Sequence, residues 1–123
     1  MSQVCIDNEV ALDFLKGDRA TIEKLRYYAD NEDICITSFS LLQLLTGVKK
    51  QDVIEQFVEN IVVLPFDQKA AQIAPQLIKE VRENNMNIHL EGIFTASICL
   101  ANDVFLFTKD RKKYEGIKKL KLV

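Results

Sequence analysis

The sequence predicts an α/β fold in which a parallel β-sheet lies between two layers of helices. Short apolar segments rich in β-branched residues alternate with segments of helical periodicity along the whole chain, and such alternation is typical of parallel sheets. Residues 61–64 form an almost continuous apolar run, as expected for a parallel strand that is covered on both faces. With 123 residues, of which 48% are apolar and 28% charged, the chain has the size and composition of one globular domain, 1–123.

The pattern predicts each element in order. Strands are expected at residues 4–7, 34–37, 61–65 and 104–107, with a last edge strand at 120–123. Helices are expected at residues 9–16, 19–29, 38–45, 52–60, 68–84 and 90–101. Asp18 and Asp67 are suitable N-caps, and Gly17 is a suitable C-cap. The helix at 90–101 is too apolar for a surface helix, so we expect it to pack deeply.

Several classes of protein are disfavoured by the sequence. No apolar run approaches the roughly 20 residues that cross a bilayer, and the N-terminus lacks the pattern of a secretory signal, so we expect a cytoplasmic protein. The three cysteines form no Cys-x-x-Cys pair and lie in apolar segments, which indicates buried thiols. A single histidine leaves almost no ligands for a zinc site.

Two carboxylates follow two of the predicted strands. Asp7 ends the first and Asp110 comes shortly after the fourth. Ligands of open α/β sheets bind outside the carboxyl ends of the strands where the strand order reverses, so the two acids face each other across one cleft if these strands are neighbours. The net charge is only −2, but seven basic residues fall in the last fifteen. They are Lys109, Arg111, Lys112, Lys113, Lys118, Lys119 and Lys121. A basic rim beside a carboxylate suits a phosphodiester ligand, and a solvated face at a chain end explains it equally well.

The order of elements and three motifs resemble the PIN domain, in particular the single-domain toxins of VapBC toxin–antitoxin pairs. The motifs are residues 6–10 with 14–18, residues 36–45 and residues 104–111. The resemblance implies a three-layer α/β/α fold with a five-stranded parallel sheet in the order 3-2-1-4-5. It also implies an Mg²⁺- or Mn²⁺-dependent ribonuclease, in which clustered carboxylates hold the metal. Partners implied in the same way are RNA, a small antitoxin and a second copy of the chain in a homodimer.

The resemblance assigns site residues one by one. Asp7, Asp110 and Glu91 are the expected catalytic residues and metal ligands, with Gln43, Thr108 and Asn8 around them. Lys109, Arg111, Lys112 and Lys113 are the expected RNA contacts. Two of the four acids that the family pattern implies are replaced, because Gln43 stands where a Glu is usual and Gly92 stands where an acid is usual.

Several of these residues have structural alternatives. Gln43 fits a capping box with Ser40, Glu91 fits a favourable charge at a helix N-terminus, and Asp110 fits a turn or an N-cap. Two functions therefore remain open: an active metal-dependent ribonuclease with a variant site, and a catalytically inactive PIN domain that binds RNA or protein. A receiver-like or flavodoxin-like domain is disfavoured, since no acid pair ends the first strand and no glycine-rich loop follows it.

Overall fold

A computed structural model describes residues 3–87 and 89–123. Its strands are β1 (Gln3–Ile6), β2 (Asp33–Thr37), β3 (Val62–Leu64) and β4 (Phe105–Phe107). Its helices are α1 (Asn8–Leu15), α2 (Arg19–Asn31), α3 (Ser38–Gly47), α4 (Gln51–Val58), α5 (Gln68–Glu83) and α6 (Leu90–Asn102). A 3₁₀ helix, Arg111–Tyr114, follows β4 and is called the basic turn below.

The strands form one parallel sheet in the order β3-β2-β1-β4. The predicted fold class and the relative order of these strands are confirmed. The predicted fifth strand is reduced, over the described residues, to one parallel bridge between Leu106 and Leu122, beside β4. The preceding segment buries Ile117 and Leu120, and a spacing of three suits turns, whereas a strand buries every second residue.

The sheet is buried on both faces. Val4 and Ile6 pack with α1 to α4 on one side, while Cys5 packs with α5 and α6 on the other, because successive side chains of a strand point to opposite faces. Cys5, Cys35 and Cys99 are buried free thiols, as expected. None of the helices in the described ranges is long and apolar enough to cross a membrane.

Side-chain caps determine where most of the helices begin. Asp7, Asp18 and Asp67 each accept a hydrogen bond of 3.0 Å from the backbone N–H three residues later, so the predicted caps at Asp18 and Asp67 are confirmed. The alternative role of Ser40 as an N-cap is wrong. Helix α3 begins at Ser38, and the hydroxyl of Thr37 accepts the N–H of Ser40 at 3.0 Å.

Candidate functional site

The site lies where β1 and β4 end, at the position in the sheet where the strand order reverses. Ile6 pairs with Phe107 in the register of these neighbouring strands, so the next residues, Asp7 and Thr108, leave the sheet side by side. The topology thus brings together two segments about a hundred residues apart in the sequence. We call this region the cleft.

Asp7 is the buried carboxylate at the centre of the cleft, with only 5% of its surface exposed. Its Oδ1 accepts the backbone N–H of Val10 at 3.0 Å, and its Oδ2 accepts the hydroxyl of Thr108 in a short hydrogen bond. The Thr108 oxygen in turn accepts the backbone N–H of Asp110 at 3.1 Å. Thr108 therefore fixes Asp7 relative to the loop that carries Asp110.

The pKa of Asp7 is raised above its ordinary value. Burial is the main cause, because desolvation disfavours the charged carboxylate. The hydrogen bonds from Thr108 and Val10 and the charge of Lys113 act in the opposite direction, and the nearby charge of Asp110 adds to the rise. The cleft thus holds a carboxylate whose negative charge is costly.

Lys113 brings a positive charge into the same cleft. Its Nζ lies 3.3 Å from Oε2 of Glu91 and 3.8 Å from Oε1 of Glu9. Burial lowers the pKa of Lys113, but the hydrogen bond from Lys113 to Glu91 and the charges of Glu9, Glu91 and Asp7 together raise it. The ammonium is therefore held between acids from α1, α6 and the end of β1.

Gly92 allows the basic turn to approach α6 at backbone distance. A Cβ placed on Gly92 would lie 2.4 Å from the carbonyl oxygen of Lys113, which is closer than real Cβ contacts. Any side chain at this position requires the turn or the helix to shift. The absence of an acid at position 92 therefore has a packing explanation.

Lys109 is directed out of the cleft, toward the corner between α1 and α2. Its Nζ lies 2.5 Å from Oδ2 of Asp13, 2.6 Å from the hydroxyl of Thr21 and 3.6 Å from Oδ2 of Asp18. The hydrogen bond to Asp13 is the main reason why the pKa of Lys109 is raised. Of the four expected RNA contacts, Lys109 and Lys113 are thus ion-paired within the chain, whereas Arg111 and Lys112 are exposed.

The remaining expected site residues surround the cleft. Asn8 and Gln43 are half-buried in α1 and α3. Asp110 stands at the N-cap of the basic turn, but its side chain makes no capping hydrogen bond. Glu91 lies in the first turn of α6, and its side chain is about half exposed at 52%.

Tyr114 belongs to the cleft although the sequence did not single it out. It is buried at the end of the basic turn and hydrogen-bonded to Thr95 of α6. Burial, followed by the charge of Asp7, raises its pKa well above the ordinary range. An aromatic residue directly after a run of five charged ones is the only sign in the sequence that this turn is anchored in the core.

Comparison with known proteins is consistent with this architecture. No family model matches the chain. The tRNA(fMet)-specific endonuclease VapC of Shigella flexneri is 23% identical over 124 residues, covering 95% of this chain and 93% of that protein. VapBC2 of Rickettsia felis, bound to a promoter DNA fragment, matches with a TM-score of 0.88 and 22% identity. The match covers 98% of this chain and 97% of that chain. DNA-bound VapBC of Salmonella typhimurium matches with a TM-score of 0.86 and 19% identity, and the match covers 100% of this chain and 98% of that chain.

The chain has a VapC-like PIN fold. The predicted resemblance is thereby confirmed at the level of the fold, over nearly the full length of the chain. The VapC-like fold implies a divalent cation at the carboxyl ends of β1 and β4, so the fit of the residues present has to be tested.

The donors of the cleft do not fit a divalent cation. Within residues 3–87 and 89–123, no three acidic, histidine or cysteine side chains converge on a common point. Both oxygens of Asp7 already accept hydrogen bonds, and Glu9 and Glu91 are paired with Lys113. Mg²⁺ and Mn²⁺ need several oxygen ligands in a fixed geometry, and this arrangement does not offer them.

Proposed function

We propose that the chain is the VapC-like component of a toxin–antitoxin pair that binds RNA and an antitoxin protein without metal-dependent cleavage. The observation that carries this proposal is the cleft itself. Asp7, Thr108 and Asp110 keep their linked positions at the strand ends, while the lysine of the basic turn is paired with the remaining acids. The scaffold is thus retained in a form that lacks a metal-ligand set.

RNA binding is assigned to the exposed part of the basic turn. Arg111 and Lys112 carry exposed positive charges next to Asp110, and phosphate contacts of this kind need no defined sequence. Lys109 and Lys113 contribute less, since each is neutralised by carboxylates of the chain. We therefore expect weak binding that depends strongly on salt.

Antitoxin binding is assigned to an apolar groove at the amino-terminal ends of the strands, whereas the cleft lies at their carboxyl ends. The groove encloses about 550 Å³ beside the starts of β2 and β3, and Phe14, Ile22 and Phe57 line it. Glu32 also lines it, and one of its carboxylate oxygens is buried with no hydrogen-bond partner among the described residues. A partner segment with apolar side chains and one basic side chain would fit both features. The solved structures with this fold include toxin–antitoxin complexes, which supports a protein partner.

A second candidate function is the Mg²⁺- or Mn²⁺-dependent ribonuclease. It is supported by the name of the Shigella flexneri relative, an endonuclease, and by Asp7 and Asp110 at the cleft. The misfit of the donors favours the first proposal. A homodimer and a cytoplasmic location belong to the same proposed role and remain predictions.

The two candidates differ in what they do to RNA. Fluorescently labelled tRNA(fMet) is incubated with the protein in millimolar Mg²⁺ or Mn²⁺, with the Shigella flexneri enzyme as the cleaving control. We expect a salt-dependent rise in anisotropy and an intact tRNA. The Arg111→Ala, Lys112→Ala variant should weaken binding and lower the salt slope by about one or two phosphate contacts.

A matched control variant is Lys118→Ala, Lys119→Ala, which removes the same charge outside the basic turn. An equal loss of binding in this control would show that RNA responds only to net charge. Cleavage of tRNA by the wild type that disappears in Asp7→Asn would contradict the proposal and establish the ribonuclease instead.

A further inference from the structure

We propose that the Lys113 ammonium is the resident cation of the cleft, where it pairs with Glu9 and Glu91 beside Asp7 and opposes the binding of a divalent ion. The inference rests on the VapC-like cleft described above and explains why that cleft does not fit a divalent ion. It makes the misfit depend on one side chain, which a single substitution can change.

The contacts of the ammonium are those of a bound cation. Two carboxylates, from α1 and α6, lie 3.8 Å and 3.3 Å from Nζ. Only 23% of the Lys113 side chain is exposed, against 49% for Glu9 and 52% for Glu91. The lysine side chain is thus less exposed than either of the two acids it pairs with.

The backbone holds Lys113 in this position. Its carbonyl oxygen packs on the Cα face of Gly92, and the neighbouring residue Tyr114 is buried and bonded to Thr95. The turn is therefore fixed on both sides of the lysine. Its ammonium is directed to Glu91, one residue before Gly92 in α6.

Charge repulsion is the reason why a metal ion would be excluded. A divalent cation that binds Glu91 beside Asp7 would meet the positive charge of the Lys113 ammonium, which lies 3.3 Å from Glu91. By Coulomb's law at the dielectric of a partly exposed site, removing that charge should strengthen divalent binding by about tenfold or more. Removal also releases Glu9 and Glu91 as oxygen ligands.

The test is divalent-cation binding by isothermal calorimetry. Mn²⁺ and Mg²⁺ are titrated into the wild type, Lys113→Gln and Lys113→Met, with thermal unfolding as the check that each variant is folded. Lys112→Gln is the matched control, because it removes one charge from the same turn at an exposed position. We expect both Lys113 variants to bind Mn²⁺ about tenfold or more tightly than the wild type, and Lys112→Gln to bind as the wild type does.

The double variant Asp7→Asn, Lys113→Gln locates any new binding. Loss of the gained affinity in this variant would support the inference, since it places the ion at Asp7. The inference is overturned if the wild type already binds Mn²⁺ as tightly as Lys113→Gln, if neither Lys113 variant gains affinity, or if the double variant keeps the gain. The tRNA assay separates the two failures: Mn²⁺ binding by the wild type that leaves tRNA intact would overturn this inference alone, whereas tRNA cleavage that is lost in Asp7→Asn would overturn the proposed function.

Discussion

The buried charge of Asp7 should reduce the stability of the fold at neutral pH. Replacing Asp7 with Asn keeps the size and one side-chain oxygen, which can still cap the N–H of Val10, while an NH₂ group takes the place of the Oδ2 that accepts the Thr108 hydroxyl. It removes the charge, whose burial is the main cause of the raised pKa, together with that one acceptor. We therefore expect Asp7→Asn to be more stable than the wild type at pH 7.

Replacing Asp7 with Ala gives the magnitude. The Ala variant loses the cap of α1, worth about 1 kcal/mol, whereas both variants lack the acceptor for the buried Thr108 hydroxyl. Asp7→Asn should thus exceed Asp7→Ala by about 1 kcal/mol in the free energy of unfolding, or roughly 4 °C in Tm for a chain of this size. Urea unfolding at pH 7 measures the difference.

The pH dependence has a definite sign. Because the pKa of Asp7 is raised in the folded state above its ordinary value of 3.8, the native state binds more protons in that window, and the stability of the wild type falls as pH rises through it. The advantage of Asp7→Asn should therefore widen from pH 4 upward and level off once the carboxyl is ionised. An Asn variant that is less stable than the wild type at pH 7 would refute this reasoning, because it would mean that the folded structure on balance stabilises the ionised carboxylate.

Two further predictions concern the packing around the cleft. Gly92→Ala should lower the free energy of unfolding by about 1–3 kcal/mol, since its Cβ meets the Lys113 carbonyl oxygen at 2.4 Å. Gly47→Ala is the control, because a Cβ at position 47 has nothing within 4 Å. Equal losses for the two variants in urea unfolding would contradict the close approach at Gly92. Lys109→Met should lower the free energy of unfolding by less than about 1 kcal/mol, because the ion pair of Lys109 with Asp13 is well exposed. This loss should shrink in 1 M salt. A loss that does not depend on salt would indicate that the lysine side chain stabilises the fold by packing instead.

The parts of the fold that depend on local pattern could be predicted from the sequence. Asp18 and Asp67 begin helices because a short acceptor stands directly before a helical pattern. The start of α3 at residue 38 was also predicted, but its cap was not, since Thr37 and Ser40 can both accept an N–H, and the end of β2 decides between them. The prediction of a fifth strand was wrong for a similar reason, because an apolar segment at residues 120–123 fits a full strand and a single bridge equally well.

The direction of the lysines could not be predicted, because their acceptors are distant in the sequence. Lys109 and its partner Asp13 are 96 residues apart, and Lys113 meets acids from α1 and α6. A basic run beside an acid indicates a ligand surface, yet a lysine side chain is long enough to reach an internal carboxylate just as well. The packing of the basic turn against α6 directs Lys113 to its acids, and the corner between α1 and α2 holds Lys109, whereas Arg111 and Lys112 stay exposed.

The same packing links the glycine at position 92, where the family pattern implies an acid, to the lysine in the cleft. An acid at position 92 would force the backbone away from Lys113, and a retreat of the turn would draw the ammonium away from Glu91. Gly92 in α6 and Lys113 in the basic turn therefore depend on one contact, in which the carbonyl oxygen of Lys113 packs where a side chain at position 92 would begin. Restoring an acid at position 92 alone would add a carboxylate and strain the turn while leaving a positive charge in the cleft. A divalent site requires the lysine to be removed first.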